Sequence, residues 1–388
     1  MYLISGAVKT GLDVLVEEKL KSIEGDKVGL VINHTALTRD LEFIVDVFRR
    51  CGKEIPVVFS PEHGLMGDVA DAVKVESYRD PDLDVYVYSL YGKTYEPPLD
   101  LVRDLDALVY DIQDLGVRWY TFISTLYYSI RAAAKANTPI YVLDRPNPVT
   151  GVAIEGPVLD PRFKSFVGIY RLPTRYALTC GELALLYNKE EGFNADLKVI
   201  EMRNWRRSMW YDETGLIWVP PSPNIPSLET ATIYLGTCLI EGTNISEGRG
   251  TPNPFVYIGA PWIKPRDLAR RMNSLNLKGV KFRPIYFRPS VSKYAGERCG
   301  GVQVHLIDRE KFQPLRTGLY LIKTVMEMYP DKFEWRVFKG EYFFDKLIGR
   351  GYVRKYLEEG YDIEYIEETW LKDLQEYRDR IKDIMLYG

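Results

Sequence analysis

The sequence predicts an α/β protein, with a mostly parallel sheet domain over residues 1–262 and a smaller α+β domain over residues 263–388. Three observations carry this expectation. Short apolar runs alternate with helix-like stretches through the first half of the chain. Those runs are apolar on both faces, as strands covered by helices on both sides must be. Beyond Lys264 the pattern changes to a helix, two strands and two further helices.

The elements follow in order. Lys27–Ile32 (KVGLVI) is the first strand. Asp40–Cys51 follows as a helix, with Leu41, Ile44, Val45 and Phe48 on one face. Ile55–Phe59, Val85–Leu90 and Ala107–Ile112 are the next three strands. Thr121–Asn137 is a helix that gathers Ile123, Leu126, Tyr127, Ile130 and Ala134 on one side. Pro139–Leu143 is the fifth strand and Leu197–Glu201 the sixth. Such a sheet is Rossmann-like in shape. No G-x-G-x-x-G follows its first strand, and no G-x-x-x-x-G-K-[ST] occurs, so no dinucleotide, P-loop nucleotide or other cofactor is implied. Asn204–Trp262 is rich in Pro, Gly and Asn but too apolar for a linker. It reads as ordered loop packed on the sheet domain, interrupted by a short helix near Leu228–Leu239. Arg266–Leu275 is then helical, Val280–Phe287 and Val302–Ile307 are strands, and Leu315–Tyr329 is a helix. One long amphipathic helix closes the chain with Ile366, Trp370, Leu374, Tyr377 and Ile381 on its apolar face.

Composition narrows the function classes. A chain of 388 residues with 46% hydrophobic and 27% charged residues can bury a substantial core and is not disordered. The 51 basic and 54 acidic residues nearly cancel, so nothing favours nucleic acid or an anionic membrane as partner. Cys51, Cys180, Cys238 and Cys299 lie far apart, which speaks for free thiols rather than a disulfide framework or a zinc site. The opening residues have no basic n-region or long apolar stretch, and no apolar run reaches the ~20 residues of a membrane span. A cytoplasmic chain is expected, unless a leader has been trimmed.

The polar residues fall after the strands. Asn33-His34-Thr35 follows the first, Ser60-Pro61-Glu62-His63-Gly64 the second and Tyr91-Gly92 the third. Gln113-Asp114-Leu115-Gly116-Val117-Arg118 follows the fourth, and Asp144-Arg145-Pro146-Asn147-Pro148 the fifth. In a parallel sheet these loops share the carboxyl edge, where open α/β sheets bind ligands. Each residue alone is a common turn or cap; their recurrence on one edge points to a polar crevice. Glu62, bracketed by Pro61 and Gly64, is placed to act as a general acid or base. His34 and His63 with Asp111 or Asp114 form a thinner alternative, a divalent metal site. A second concentration is Glu241–Thr251, with three glycines, Asn244, Glu247 and Arg249. It describes a loop whose backbone closely approaches something, and sugar recognition suits it as well as phosphate. Asn224 lies in a rigid Pro-rich stretch. Trp205, Trp210 and Trp218 nearby suit sugar stacking, though core packing is the commoner use of such rings.

At these residues the chain resembles the family first described as domain of unknown function 1343 and now typified by the NamZ exo-β-N-acetylmuramidases. The matching segments are FSPEHGLMG (59–67), YSLYG (88–92), VYDIQDLGVRWYT (109–121), VLDRPNP (142–148), LTCGELA (178–184), WVPPSPNIPS (218–227), EGTNISEGRGTPNPF (241–255) and ERCGGVQVH (297–305). They run through nearly the whole chain. The resemblance implies a glycosidase that removes terminal β-1,4-linked N-acetylmuramic acid from peptidoglycan fragments. It also implies a Rossmann-like domain and a smaller one with the active site in the cleft between them, and Glu62 as catalytic residue.

Glycoside cleavage needs an acid for the leaving oxygen and a second group at the anomeric carbon. Glu62 suits the first role. Asp111, Asp114, Asp144 and Glu247 are candidates for the second, with Asp114 and Glu247 foremost; alternatively the substrate's own acetamido oxygen attacks. The lactyl carboxylate of muramic acid calls for an arginine fork, from Arg118, Arg145 or Arg249. Asn33, His63, Asn147, Asn224 and Asn244 complete the set of sugar-binding candidates. Two other readings stand beside this one: a metal-dependent hydrolase using His34, His63 and Asp111, and a non-catalytic sugar-binding protein. Scarce glutamine with abundant Glu, Lys, Arg and Tyr hints at a thermophilic host.

Overall fold

A computed structural model describes residues 6–70, 73 and 75–388. The opening stretch, on which the expectation of no leader rests, lies largely outside the described residues. The chain divides into two compact units. The first comprises Met1–Ala153, Tyr176–Pro223 and Asp379–Gly388; the second comprises Ile154–Arg175 and Asn224–Arg378.

In the first unit the strands are β1 (Val28–Ile32), β2 (Val57–Ser60), β3 (Tyr78–Asp80), β4 (Val85–Ser89), β5 (Ala107–Asp111), β6 (Ile140–Leu143) and β7 (Leu197–Ile200). They form one sheet in the order β3-β4-β2-β1-β5-β6-β7. Only the edge strand β3 is antiparallel to its neighbour. Without it, the six parallel strands run 3-2-1-4-5-6 in chain order, the doubly wound arrangement. The order reverses between β1 and β5, where Ile32 sits opposite Asp111. The central strands β1, β2, β5 and β6 are buried along their whole length, and β4 alternates, as its position next to the edge requires. Helices α1 (Gly11–Glu17), α2 (Ile44–Arg50), α3 (Leu99–Arg103), α4 (Phe122–Ala136) and α5 (Cys180–Glu190) belong to this unit. Leu12, Leu15, Leu30, Ile32, Val45, Phe48, Val58, Val109 and Tyr141 meet in its core.

The second unit carries a three-stranded antiparallel sheet of β8 (Tyr257–Ala260), β9 (Val280–Phe287) and β10 (Cys299–Leu306) in the order β8-β10-β9. Its helices are α6 (Leu228–Thr237), α7 (Pro265–Ser274), α8 (Pro314–Met328), α9 (Phe343–Ile348), α10 (Gly351–Glu358), α11 (Ile363–Glu368) and α12 (Leu371–Ile381), the last returning to the first unit at Asp379.

Two sequence expectations need correction. The division falls near residue 224, not after Trp262, because α6 packs on α8 and β8 pairs with β10. The closing helix is two: α11 ends at Glu368, and α12 starts afresh at Leu371. Among the described residues no helix is long and apolar enough to cross a membrane.

Candidate active site

Glu62 stands two residues beyond β2 in a turn held on both sides. Gly64 N–H donates to Pro61 O at 3.2 Å, and Val69 N–H donates to His63 O at 3.2 Å. His63 adopts a φ of +74°, a conformation that non-glycine residues rarely hold without local constraint. Its Nδ1 lies 2.8 Å from Val69 O, an acceptor, so Nδ1 carries the proton. The half-buried Glu62 carboxylate accepts a hydrogen bond from Thr121 Oγ1 at 2.7 Å. Thr121 is the N-cap of α4, so the carboxylate sits at the start of a 15-residue helix, where negative charge is favoured.

The other carboxyl-edge residues are buried and largely bonded to one another. Asp111 and Arg145 form a two-pronged ion pair through Nε and, at 2.8 Å, through Nη2. Burial raises the Asp111 carboxyl against the opposing pull of Arg145. Asp144 accepts from Arg145 N–H at 3.0 Å, Gly181 N–H at 2.8 Å, Thr179 Oγ1 at 2.7 Å and the Tyr387 hydroxyl at 2.7 Å. Burial nevertheless pushes it up to about 7. Asn147 spans Leu178 O and Val149 N–H, and Asn33 Oδ1 closes a turn on Thr35. Arg118 is fully buried.

Asp114 differs. Its Oδ2 accepts from Gly116 N–H at 2.7 Å and from the Tyr176 hydroxyl. Its Oδ1 has no partner among the described residues. Burial pushes this carboxyl up to about 6. It is a buried edge carboxyl with one oxygen left unpaired.

The residues of the metal reading do not form a ligand cluster. His34 Nε2 lies 2.7 Å from Pro220 O, so it carries that proton, and burial lowers the ring's pKa. Asp111 belongs to Arg145. Among the described residues no group of three or more His, Cys, Asp or Glu side chains is arranged to hold a metal.

The Glu241–Thr251 loop lies in the second unit, and so do Asn224, Asn244, Glu247 and Arg249. Arg249 pairs with Glu241 at 3.0 Å and Glu247 at 3.3 Å, and Lys293 pairs with Glu247 at 3.0 Å. Burial raises the Glu241 carboxyl within this balanced network. Asn244 bonds Lys332 O and Glu334 N–H. The close approach that the glycines foretold is internal: a Cβ on Gly242 would lie 2.6 Å from Phe344 Cα, and one on Gly248 2.5 Å from Tyr257 O. Trp205 and Trp210 are core residues, whereas Trp218 is half-buried and packs edge-on against Tyr211.

Three residues escaped the sequence reading: Thr121, which holds Glu62; Tyr176, which donates to Asp114; and Lys293, which pairs with Glu247. Thr121 carried a local signal only as a helix start. Nothing along the chain links it to a residue 59 positions earlier.

Comparison with known proteins adds to this geometry. Residues 28–229 match the N-terminal domain of exo-β-N-acetylmuramidase NamZ, and residues 232–387 match its C-terminal domain. The peptidoglycan β-N-acetylmuramidase NamZ of Bacillus subtilis (strain 168) is 44% identical over 381 residues, covering 98% of this chain and 91% of that protein. Crystal structures of two DUF1343 family proteins from Bacteroides fragilis NCTC 9343 are similar throughout. One has a TM-score of 0.90 at 36% identity, covering 99% of this chain and 100% of that one. The other has a TM-score of 0.76 at 26% identity, covering 98% and 99%.

Proposed function

The chain belongs to the NamZ exo-β-N-acetylmuramidase family, and from that premise we propose that it is a glycosidase releasing terminal N-acetylmuramic acid from peptidoglycan fragments. The observation that carries the mechanism is the Glu62 carboxylate held at the start of α4 by Thr121. Glu62 is the acid/base: protonated, it gives its proton to the glycosidic oxygen as the bond to the anomeric carbon breaks; deprotonated, it takes one from the incoming water. Its turn is rigid, so the carboxyl is presented in one place, which is what proton transfer requires.

The second group at the anomeric carbon is either a carboxylate or the substrate's acetamido oxygen. Asp114 fits the carboxyl that orients that oxygen. What supports this is its unpaired Oδ1 and a carboxyl raised by burial to about 6; in this role its carboxylate would accept from the acetamido N–H. Glu247, paired with Lys293 and Arg249, is the alternative. Small muropeptides, as in wall recycling, are the natural substrates of an exo-acting enzyme of this kind. The composition bias favours assays at elevated temperature.

The test is a pair of variants assayed on a disaccharide with non-reducing N-acetylmuramic acid. Glu62→Gln should lose at least about a thousandfold in kcat while remaining folded. Asp114→Asn should lose about ten- to a hundredfold if it orients the acetamido group. A Glu62→Gln protein with wild-type turnover would overturn the assignment.

A further inference from the structure

The glycosidase reading leaves one opening on the carboxyl edge unused. A narrow crevice, open to solvent, lies in the first unit. Thr35 reaches it from beyond β1, Gln113 from beyond β5 and Arg145 from beyond β6. This is where the parallel strand order reverses, the usual ligand position in open α/β sheets. Glu62 does not line it.

Two arginines face this crevice with donors to spare. Arg145 is more than nine-tenths buried. Its Nε and Nη2 serve Asp111, and Nη2 also donates to Leu37 O at 2.9 Å. Its Nη1 has no partner among the described residues. Arg39 is half-buried on the wall. Its backbone N–H donates to Asp13 Oδ1 at 2.8 Å, but its guanidinium has no hydrogen bond or ion pair among the described residues. Its charge is felt by Glu17, itself paired with Lys9 and Arg203. The nearby carboxylates are committed, Asp111 to Arg145 and Asp13 to Thr10 and the Arg39 backbone. Two guanidinium groups with donors unused by the described residues, both lining the crevice, can take a shared anionic acceptor from solvent. The rim is apolar, with Leu41 and Ile217 largely exposed on it.

We propose that this crevice binds the carboxylate of a small organic acid, gripped by Arg145 Nη1 and the Arg39 guanidinium, with the acid's apolar part against Leu41 and Ile217. Planar guanidinium pairs match carboxylate geometry better than that of a neutral sugar. The sugar acid released in the proposed reaction carries such a group, and only that identification rests on the glycosidase reading. A free hydroxy acid shares the same chemistry.

Isothermal titration of the full chain with N-acetylmuramic acid, N-acetylglucosamine and D-lactate tests this. Saturable binding of at least one of the two carboxylates is expected, with none of N-acetylglucosamine, which lacks the group. Arg39→Gln should weaken it about tenfold, and Ile217→Trp, which fills the crevice, should abolish it. Tighter binding of N-acetylmuramic acid identifies the sugar acid as the ligand; equal or tighter binding of D-lactate identifies a free small acid. Absence of carboxylate binding, or binding unaffected by both variants, overturns the proposal. Hydrolysis of an aryl N-acetylmuramide, measured separately, tells this failure from failure of the glycosidase reading.

Discussion

Thr121 is the residue through which the fold positions Glu62, with one hydrogen bond of 2.7 Å to its carboxylate. A bond to a charged acceptor contributes about 1.5–3 kcal/mol. If Glu62 is the acid/base and Thr121 acts only by orienting it, Thr121→Val should lower kcat roughly ten- to a hundredfold and leave KM nearly unchanged. Thr121→Ser should restore most of the rate. Asp144 makes a prediction of a different kind. Its folded carboxyl is raised to about 7 by burial, above the ~4 of an unfolded chain. Between those values the native state binds more protons than the unfolded one, so stability falls as pH rises through this window and levels off above it. Urea unfolding across pH 4–8 should show that decline, on the order of a few kcal/mol at most, and Asp144→Asn should flatten its upper part.

At the scale of elements, α6 and α8 cross on a pair of glycines. A Cβ on Gly236 would lie 1.8 Å from Pro314 O, and one on Gly318 2.3 Å from Gly236 O. The obstacle is backbone, which cannot swing aside. Gly236→Ala and Gly318→Ala should each cost about 1–3 kcal/mol or more, visible as a drop of several degrees in Tm. The same scale shows what could be read from sequence. The strands β1, β2, β4, β5, β6 and β7 were legible because runs such as VGLVI and ALVYD have no polar face. Knowing their order of alternation placed Glu62, Asp114 and Asp144 on one edge. Helices α1 and α5 were missed although both carry a capping box, Thr10 with Asp13 and Thr179 with Glu182; each is brief or weakly amphipathic, so periodicity was silent. The Glu241–Thr251 glycines were legible as close contacts, but their partners, Phe344 and Tyr257, are set by tertiary packing. The Asp111–Arg145 pairing was hidden for the same reason: two residues 34 apart meet only once β5 and β6 lie side by side.

At the scale of the molecule, the chain's last residues complete the first unit rather than trail from it. The Tyr387 hydroxyl donates to Asp144 and accepts from Met202 N–H, Leu386 N–H donates to Glu182, and Gly388 O accepts from Arg207 N–H. Deleting residues 384–388 would strip partners from the buried Asp144 and Glu182. A Tm lowered by at least about 5 °C is expected by calorimetry, corresponding to a loss of roughly 2 kcal/mol. In the reaction proposed for the whole enzyme, Glu62 serves as acid/base in the release of terminal N-acetylmuramic acid. The most direct measurement is release of aglycone from an aryl β-N-acetylmuramide, beside the N-acetylglucosamine analogue, by wild type and Glu62→Gln. Turnover of the muramide alone, lost in Glu62→Gln, is the predicted result. A folded wild-type protein that cleaves neither glycoside, or a Glu62→Gln protein that cleaves the muramide as fast as wild type, would contradict it.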